Sequence, residues 1–388
     1  MHILLLLISF AIAYSAYIRH FKKTAFNGLG YYVETSRNEV VEGEYLTITQ
    51  NFTNLSNRNF SFIKVEFELP EGLEFVFSDT DSVYSRDDMS ARSTITVISL
   101  KNAELLKRTW RIKCKKRGNY HPGNVHLIIT DYFGTCTETK RFDVDTRLTV
   151  LPGLMDVEQI NLFAPSFSGF SMVGHYGSED TSSVVGARDY NNSTPLNSIH
   201  WKATAHTGKL MAKEFARFHR SAYNIALNVQ TRPLEKDIPT GVGSPQLAEK
   251  CISVCASLIK QSLQLQAPVR FFSNSRFETI PQDREIYISK EFCDEKEMLT
   301  ALRLLSDIKL ELSVSFDRMI DEIVSFPDMY FREGKLAVIT PYIDQRIVQF
   351  WKAARELNCR VIFLIPSSLN YAEFIPPDME VYFGFGQS

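Results

Sequence analysis

Three kinds of hydrophobic pattern follow one another along the chain. Residues 3–18 form a nearly continuous apolar run, and residues 27–151 contain short segments in which apolar and polar positions alternate. From residue 222, near-continuous apolar runs alternate with longer helical patterns. Strict alternation is typical of half-buried strands, and short unbroken apolar runs are typical of strands buried on both faces. The pattern predicts an N-terminal helix, an antiparallel β-sandwich and an α/β domain, in that order.

The N-terminal apolar run is predicted to be a transmembrane anchor over residues 1–20. It ends at a basic cluster, Arg19, His20, Lys22 and Lys23. At about 1.5 Å per residue the run is shorter than a hydrocarbon core of about 30 Å, so flanking residues would have to complete the span. Positive charges after the helix predict a single-pass protein of the cell membrane with the bulk of the chain in the cytoplasm. The alternative is a cleaved secretory signal, although only Met1 and His2 precede the run.

Residues 27–151 are predicted to fold as an antiparallel β-sandwich. Turn residues recur about every ten residues between alternating segments such as YLTITQNFTN, FIKVEFELP and STITVISL. In the second of these segments one face is expected to carry charged side chains, and the other face Phe62, Val65, Phe67 and Leu69. This half of the chain shows no evident site chemistry.

Residues 221–388 are predicted to form a doubly wound α/β domain. Strand-like runs such as YNIALNV, KLAVIT and RVIFLIP alternate with helical runs such as QLAEKCISVCASLIKQSL and QRIVQFWKAARELN. Strands that alternate with helices build βαβ units around a parallel sheet. Because ligands of such sheets bind beyond the carboxyl ends of the strands, chemistry is expected directly after YNIALNV and KLAVIT.

Composition and motifs narrow the class of protein. A chain of 388 residues is long enough for several domains. Its net charge of −2 gives it no general affinity for nucleic acid. Its 6 cysteines are too few for a disulfide framework and are expected to be reduced and mostly buried. Cys251 and Cys255 lie four residues apart, but no second ligand pair is near them in sequence to complete a metal site. No P-loop, G-x-S-x-G, H-E-x-x-H or G-x-G-x-x-G motif occurs, so we expect no catalytic residue, no cofactor and no enzyme activity.

A central stretch, residues 185–215, fits neither of the flanking patterns. It has little apolar periodicity, yet it contains Tyr190, Trp201 and several basic residues. We expect a contact surface with Trp201 as its anchor, on which Arg188, Tyr190 and Lys202 bind a protein partner. The alternatives are a well-packed linker and a nucleic-acid patch, for which one Trp gives thin support.

Motifs in both halves resemble those of the bacterial domain-of-unknown-function 58 family. The first half carries Lys116-Arg117-Gly118-Asn119-Tyr120 and, after the strand HLIIT, Asp131-Tyr132-Phe133-Gly134. The central stretch matches the family pattern R-x-Y-x-x-G-D-x-x-R-x-I-x-W-x-x-x-A-R and the residues after it without a gap, at Arg188, Tyr190, Ile199, Trp201, Ala205, Leu210, Lys213 and Glu214. The resemblance covers nearly the whole chain. It implies a β-sandwich followed by a von Willebrand factor A-like domain.

This chain lacks several charged residues of the family pattern. The family's Gly-Asp is Ser193-Thr194, its next Arg is Asn197, the acid before the Trp is His200, and the second Arg is His206. Removal of one member of a buried ion network costs about 3–5 kcal/mol, whereas joint loss can be nearly neutral. We therefore expect a divergent but folded member. The spacing of the two histidines does not place them on one helix face, which argues against a shared metal.

The resemblance also implies a metal site that is degenerate here. Family members often carry D-x-S-x-S after the first strand of the α/β domain, and oxygens of this motif bind a divalent cation. This chain has Asn228, Gln230 and Arg232 there, and Pro341 where many members have an acid after KLAVIT. We expect no metal at this edge. Arg232 is expected either to bind a partner carboxylate directly or to be a solvated loop residue.

The function implied by the resemblance is that of a membrane-anchored, non-enzymatic adaptor. Such a protein would work with a MoxR-type AAA+ ATPase in the assembly or maturation of envelope proteins, and residues 152–220 would lead from the sandwich into the α/β domain. One alternative is an exported adhesion protein, which requires cleavage of the N-terminal run. Another is a hydrolase that uses the strand-end cleft, against which Asn228 and Pro341 count.

Overall fold

The protein is described by a computed structural model that divides into two compact units. Unit 1 comprises Met1–Gly153 with Arg303–Asp307, and unit 2 comprises Leu154–Leu302 with Ile308–Ser388. Each unit has its own cluster of buried apolar residues. The residues described are 2–76, 91–143, 145–155, 179–191, 196–217, 223–233, 243–265, 267–281, 284–331, 335–367 and 375–383.

Unit 1 is a helix followed by mainly antiparallel sheets. Its elements are α1 (His2–Thr24), β1 (Leu29–Thr35), β2 (Glu39–Val41), β3 (Tyr45–Asn54), β4 (Phe60–Glu68), β5 (Leu73–Phe75), β6 (Ser93–Leu100), β7 (Leu105–Cys114), β8 (Gly118–Tyr120), β9 (Val125–Thr130), β10 (Thr137–Phe142) and β11 (Leu148–Leu151). The strands form two four-stranded sheets, ordered β1-β3-β7-β5 and β10-β9-β4-β6, and a small sheet β2-β11-β8. Buried residues of both four-stranded sheets share one core cluster. The sandwich-like, antiparallel architecture predicted for this part of the chain is confirmed.

One end of β4 differs from the predicted side-chain pattern. Val65 and Phe67 are each 1% exposed, whereas Phe62 is 50% exposed. Successive side chains of a strand point to opposite faces, and Phe62 is three residues from Val65, so the regular alternation of β4 places Phe62 on the outer face with Lys64. The prediction that Phe62 shares a face with Val65 and Phe67 is therefore wrong.

The second half of α1 packs on the sandwich. The hydroxyl of Tyr17 donates to Asp131 Oδ2 (3.3 Å), and Lys22 pairs with Glu138 (3.3 Å). In the part of the chain that the structure describes, no helix is both long enough and apolar enough to cross a membrane. The apolar run is short, and the helix continues beyond it through charged residues that bind the sandwich. The predicted anchor over residues 1–20 is wrong, and so is the single-pass membrane localisation that depended on it.

Strands and helices are interspersed after residue 178. They are β12 (Glu179–Asp189), α2 (Trp201–Thr207), β13 (Met211–Arg217), β14 (Tyr223–Leu227), α3 (Pro245–Gln264), β15 (Val269–Ser273), β16 (Ser275–Phe277), β17 (Tyr287–Ile288), α4 (Met298–Ser306), β18 (Ile308–Leu312), α5 (Phe316–Ser325), α6 (Pro327–Tyr330), β19 (Lys335–Ile339), α7 (Gln345–Glu356), β20 (Arg360–Ile365) and β21 (Glu380–Phe383). Short 3-10 turns occupy Leu196–Ser198 and Glu295–Glu297.

The main sheet of unit 2 is largely parallel. Its order is β17-β15-β14-β19-β20-β21, and all neighbouring strands from β15 to β21 are parallel, while β17 is antiparallel to β15. Every residue of β14 is buried, as are the last four of β19 and the last five of β20. Burial of successive residues means that both faces of these strands are covered. The parallel sheet predicted from the apolar runs is confirmed.

Candidate functional site

The central stretch folds as an antiparallel hairpin whose connection contains a short helix. β12 pairs with β13 from Glu179 opposite Arg217 to Asp189 opposite Met211, and α2 lies between the two strands in sequence. The N–H of His200 donates to the Met211 carbonyl (2.8 Å), and the N–H of Met211 donates to Thr204 Oγ1 (3.0 Å). These bonds join the helix to β13 and make the stretch one small module.

His200 caps α2 at its N-terminus. Its Nδ1 accepts a hydrogen bond from the N–H of Ala203 at 3.2 Å. The first turn of a helix leaves backbone N–H groups without intrahelical partners, and an acceptor at the N-cap position satisfies one of them. The resemblance implies an acid at this position, and the histidine supplies an acceptor there instead.

Trp201 follows directly and is 69% exposed. On the same module Leu196 is 73% exposed and Leu210 is 49% exposed. Large apolar side chains that share one module and remain in solvent are typical of a contact surface. The alternative of a well-packed linker does not account for the exposure of Trp201.

The other residues of the family pattern divide between the interior and the surface of the module. Ile199 is 4% exposed and forms a bridge with the fully buried Ala212. Arg188 and Lys202 are exposed, and Tyr190 is half-buried. We call the exposed group formed by Leu196, Trp201 and Leu210 with Arg188 and Lys202 the Trp201 surface. Ser193 and Thr194 lie outside the described residues, as does the side chain of Glu214.

The carboxyl ends of the parallel strands carry a network of buried amides and hydroxyls. Asn228 follows β14 and is 0% exposed. Its Oδ1 accepts hydrogen bonds from the N–H of Gln230 (2.9 Å) and from Asn274 Nδ2 (2.9 Å), and its Nδ2 donates to Thr340 Oγ1 (3.1 Å). The side chain therefore connects the ends of β14, β15 and β19. Both functions of the amide, donation and acceptance, are used.

Gln230 extends this network to a helix. Its Oε1 accepts from the N–H of Phe316 at the start of α5 (2.8 Å), and its Nε2 donates to the carbonyl of Arg232 (2.8 Å). The Arg232 side chain is exposed at this edge, whereas Pro341 is buried and its carbonyl accepts from Ser367 Oγ (3.2 Å). Two of the four positions assigned to a degenerate metal site thus have amide side chains that bind protein groups.

A cation at this edge would need oxygen ligands that carry charge. Across the described ranges, no group of three or more His, Cys, Asp or Glu is placed to hold a metal ion. The two cysteines considered as ligands, Cys251 and Cys255, are buried in α3, and burial raises the pKa of both thiols. A raised thiol pKa disfavours the thiolate that binds metal. That the strand-end edge binds no metal stays a prediction.

The sequence interpretation missed two aspartates at helix N-termini. Asp344 caps α7, where its Oδ1 accepts from the N–H of Ile347 (2.9 Å), and Asp317 lies in the first turn of α5. Burial and the nearby Asp344 raise the pKa of Asp317, while Arg346 opposes the shift. Burial and these two carboxylates also raise the pKa of Tyr342. An acid directly before the amphipathic run of α7 is an N-cap signal in the sequence. No local pattern predicts that Asp317 of α5 lies near Asp344.

Comparison with known proteins does not assign the chain to a family. No family model matches it, and no curated protein matches it. Among solved structures, a segment of native alpha-2-macroglobulin from Escherichia coli is 11% identical over 32% of this chain and 24% of that chain, with a TM-score of 0.25. The CARDB domain of a Pyrococcus furiosus protein is 14% identical over 31% of this chain and 90% of its own length, with a TM-score of 0.18. A type II cohesin domain from the cellulosome of Acetivibrio cellulolyticus is 10% identical over 31% of this chain and 94% of its own length, with a TM-score of 0.22.

Similarity at this level supports no family and no function. The resemblance to the domain-of-unknown-function 58 family therefore stays a prediction, together with the partner that it implies.

Proposed function

We propose that this chain is a non-enzymatic adaptor that binds a protein partner through the Trp201 surface. The observation that carries the proposal is the 69% exposure of Trp201 on a module in which Leu196 and Leu210 are also exposed. Trp is enriched among the residues that dominate binding energy, and its truncation at the centre of an interface typically costs about 2 kcal/mol or more.

The charge around Trp201 favours a partner with an acidic patch. Arg188 and Lys202 are both exposed, and neither makes an ion pair with a side chain in the described part of the chain. Basic residues at the rim of an interface increase the association rate with an acidic partner more than they increase affinity. The Trp201 surface is thus an apolar anchor with a cationic rim.

The class of partner in this proposal is a MoxR-type AAA+ ATPase. Its support is the resemblance of the central stretch, through Arg188, Tyr190, Ile199 and Trp201, to a family associated with such ATPases. The same resemblance leads us to propose that unit 2 contains a von Willebrand factor A-like domain. Five neighbouring parallel strands, with buried polar residues at their carboxyl ends, support this part of the proposal.

Within that domain, Arg232 provides a second contact for the partner. Its guanidinium is exposed at the carboxyl edge of the sheet while its backbone carbonyl is held by Gln230. A fixed backbone with a free cationic end suits a direct bond to a carboxylate of the partner, without a bridging metal ion.

The test is the affinity of the purified full chain for a MoxR-type AAA+ ATPase of the same organism, measured by biolayer interferometry. Trp201→Ala should weaken binding about 30-fold, which corresponds to about 2 kcal/mol. Phe326→Ala is the matched control because Phe326 is an aromatic residue of unit 2 that is 59% exposed and lies outside the Trp201 surface. This control should bind as the wild type does.

Charge reversal distinguishes the contribution of the basic residues to binding from that of Trp201. Arg188→Glu with Lys202→Glu should lower the association rate and reduce its dependence on salt, with little change in the dissociation rate. Equal affinity of the wild type and Trp201→Ala for the ATPase would contradict the Trp201 surface, and absence of binding by the wild type would contradict the choice of partner.

A further inference from the structure

A cavity in unit 1 lies between α1 and the sandwich. Its volume is about 390 Å³, which is within the range of about 300–1,000 Å³ that is typical of small-ligand sites. The helix contributes Tyr17, His20, Phe21 and Thr24, whose spacing places them on one face of α1. The strands contribute residues from the start of β4 and the end of β9.

The distinctive charged group of this cavity is Arg58. One of its nitrogens, Nη2, donates to the carbonyls of Thr24 and Ala25 (2.6 Å for Ala25), where α1 ends, and its guanidinium carbon lies 4.7 Å from the centre of the Phe60 ring. Burial lowers the pKa of Arg58. In the described part of the chain no carboxylate lies close enough to Arg58 to form an ion pair. A partly desolvated guanidinium without an acidic partner is a site for an anion.

Asp131 lines the same cavity but does not neutralise Arg58. Its Oδ1 accepts from the N–H groups of Thr135 (2.6 Å) and Cys136 (2.8 Å), and its Oδ2 accepts from Thr135 Oγ1 (2.8 Å) and the Tyr17 hydroxyl (3.3 Å). Four donors, three from its own turn and one from α1, stabilise the charged form of this carboxylate. Arg58 remains available to a ligand.

The other walls of the cavity combine aromatic and apolar side chains with polar ones, namely His20, Thr24, Asn59, Ser61 and Thr130. Phe21, Phe60 and Ile129 form its inner wall, and Phe62 and Tyr132, which are 50% and 89% exposed, stand at its opening. A cationic group next to aromatic walls recognises a molecule with an anionic end and a flat apolar body. We propose that this cavity binds an aromatic carboxylate, with the carboxylate on Arg58 and the ring against the phenylalanines.

The probe for this site is 4-(trifluoromethyl)benzoate, followed by fluorine NMR with the full chain. The wild type should bind it, and the neutral analogue 4-(trifluoromethyl)benzamide should bind at least about tenfold more weakly, because a charge-assisted hydrogen bond is lost. Arg58→Met retains an unbranched apolar stem and should weaken binding of the benzoate at least about tenfold. In this variant the benzoate and the benzamide should bind alike.

The matched control variant is Arg111→Met. Arg111 also lies over an aromatic ring, with its guanidinium carbon 4.4 Å from the centre of the Tyr45 ring, but it does not line the cavity. It should bind the benzoate as the wild type does. Tyr132→Ala removes an exposed aromatic side chain of the cavity wall. It should weaken binding of the benzoate and binding of the benzamide by a similar factor.

Several outcomes would overturn the proposal. If the wild type does not discriminate between the benzoate and the benzamide, Arg58 is not an anion site, and this comparison does not depend on whether Arg58→Met folds. Loss of benzoate binding in Arg111→Met to the same extent as in Arg58→Met would indicate unspecific attraction to arginine side chains of the sandwich. Absence of benzoate binding by the wild type would exclude the site for this class of ligand.

Discussion

His200 holds the start of α2 through a ring nitrogen that accepts a hydrogen bond from Ala203. An acceptor nitrogen cannot carry a proton, so the cap requires the neutral ring with its proton on the other nitrogen. The helix that depends on this cap is only seven residues long, and its next residue is the exposed Trp201. The orientation of the proposed binding residue thus depends on this cap together with the hydrogen bonds that join α2 to β13.

We expect His200→Asn to keep the cap and His200→Ala to lose it. Loss of an N-cap costs about 1 kcal/mol of local stability, which corresponds to a roughly fivefold larger equilibrium constant for opening of the helix. Amide hydrogen exchange at Ala203 measures this opening. His206→Ala, in the last turn of the same helix, is the control and should leave that amide unchanged. Equal exchange in the Asn and Ala variants at position 200 would show that the side chain does not act as a cap.

Two short elements place aspartates in opposite electrostatic environments. Burial favours the neutral form of Asp131, but hydrogen bonds from Cys136, Thr135 and Tyr17 outweigh it and lower the pKa of Asp131. In the first turn of α5, burial and the neighbouring Asp344 raise the pKa of Asp317. The turn after β9 therefore stabilises a charge, and the turn that begins α5 disfavours one.

These shifts predict opposite pH dependences for two Asn variants in urea denaturation. The stability that Asp131 contributes is present above its unfolded pKa, about 3.9, and is lost as the pH falls through its lower folded pKa. The loss of unfolding free energy in Asp131→Asn, relative to the wild type, should therefore be largest near neutral pH and smaller in acid. The folded state favours the protonated form of Asp317, so this residue contributes its full stability only below its unfolded pKa, about 3.9. The contribution is lost as the pH rises through the higher folded pKa. The stability of Asp317→Asn relative to the wild type should therefore increase from pH 3 to neutral pH.

The two variants serve as controls for each other because both exchange an aspartate for the same neutral residue. Parallel pH profiles for Asp131→Asn and Asp317→Asn would show that the environments of the two carboxylates are not opposite.

The strands show how much of the fold can be read from alternation and apolar runs. The sheets of unit 1 and the parallel strands of unit 2 lie where the period of two and the unbroken apolar runs predict them, because burial of one or both faces sets those patterns. The prediction for Phe62 was wrong because this residue lies an odd number of positions from Val65 and Phe67, so that strict alternation puts it on the opposite face. The helix α1 was misread as an anchor because apolar length alone did not reveal that Tyr17 and Lys22 bind the sandwich.

The candidate sites were predictable to different degrees. Trp201 was singled out because a Trp in a stretch without apolar periodicity needs a reason other than core packing. The edge that contains Asn228 was predicted from the rule that parallel strands present their carboxyl ends together. The hydrogen bonds of Asn228 and Gln230 at this edge could not be predicted, because their partners Asn274 and Phe316 come from distant parts of the sequence. The cavity at Arg58 was missed for the same reason, because its helix and strands are adjacent only in the fold.

For the molecule as a whole, the absence of a cation site is a prediction that only the complete chain can test. A calorimetric titration with Mg²⁺ or Mn²⁺ reports on every residue, and we expect no micromolar affinity. The reason is that the amides of Asn228 and Gln230 already bind protein groups and that Arg232 adds a fixed positive charge at the same edge. EDTA should correspondingly leave the melting temperature unchanged. Micromolar binding of either ion would show that the chain has a site that these residues do not explain.

The amide network at the strand ends also constrains how this chain can evolve. An Asn228→Asp change would introduce a carboxylate into a fully buried position and remove the donor that binds Thr340. Loss of the donor to Thr340 costs about 1–3 kcal/mol, and burial of a carboxylate in place of a neutral amide adds to this, so the total is a large fraction of the stability of an ordinary domain. Any lineage that gained a cation here would have to change several strand-end residues together. A single substitution in that direction should lower the free energy of unfolding before any bound cation could compensate for the loss.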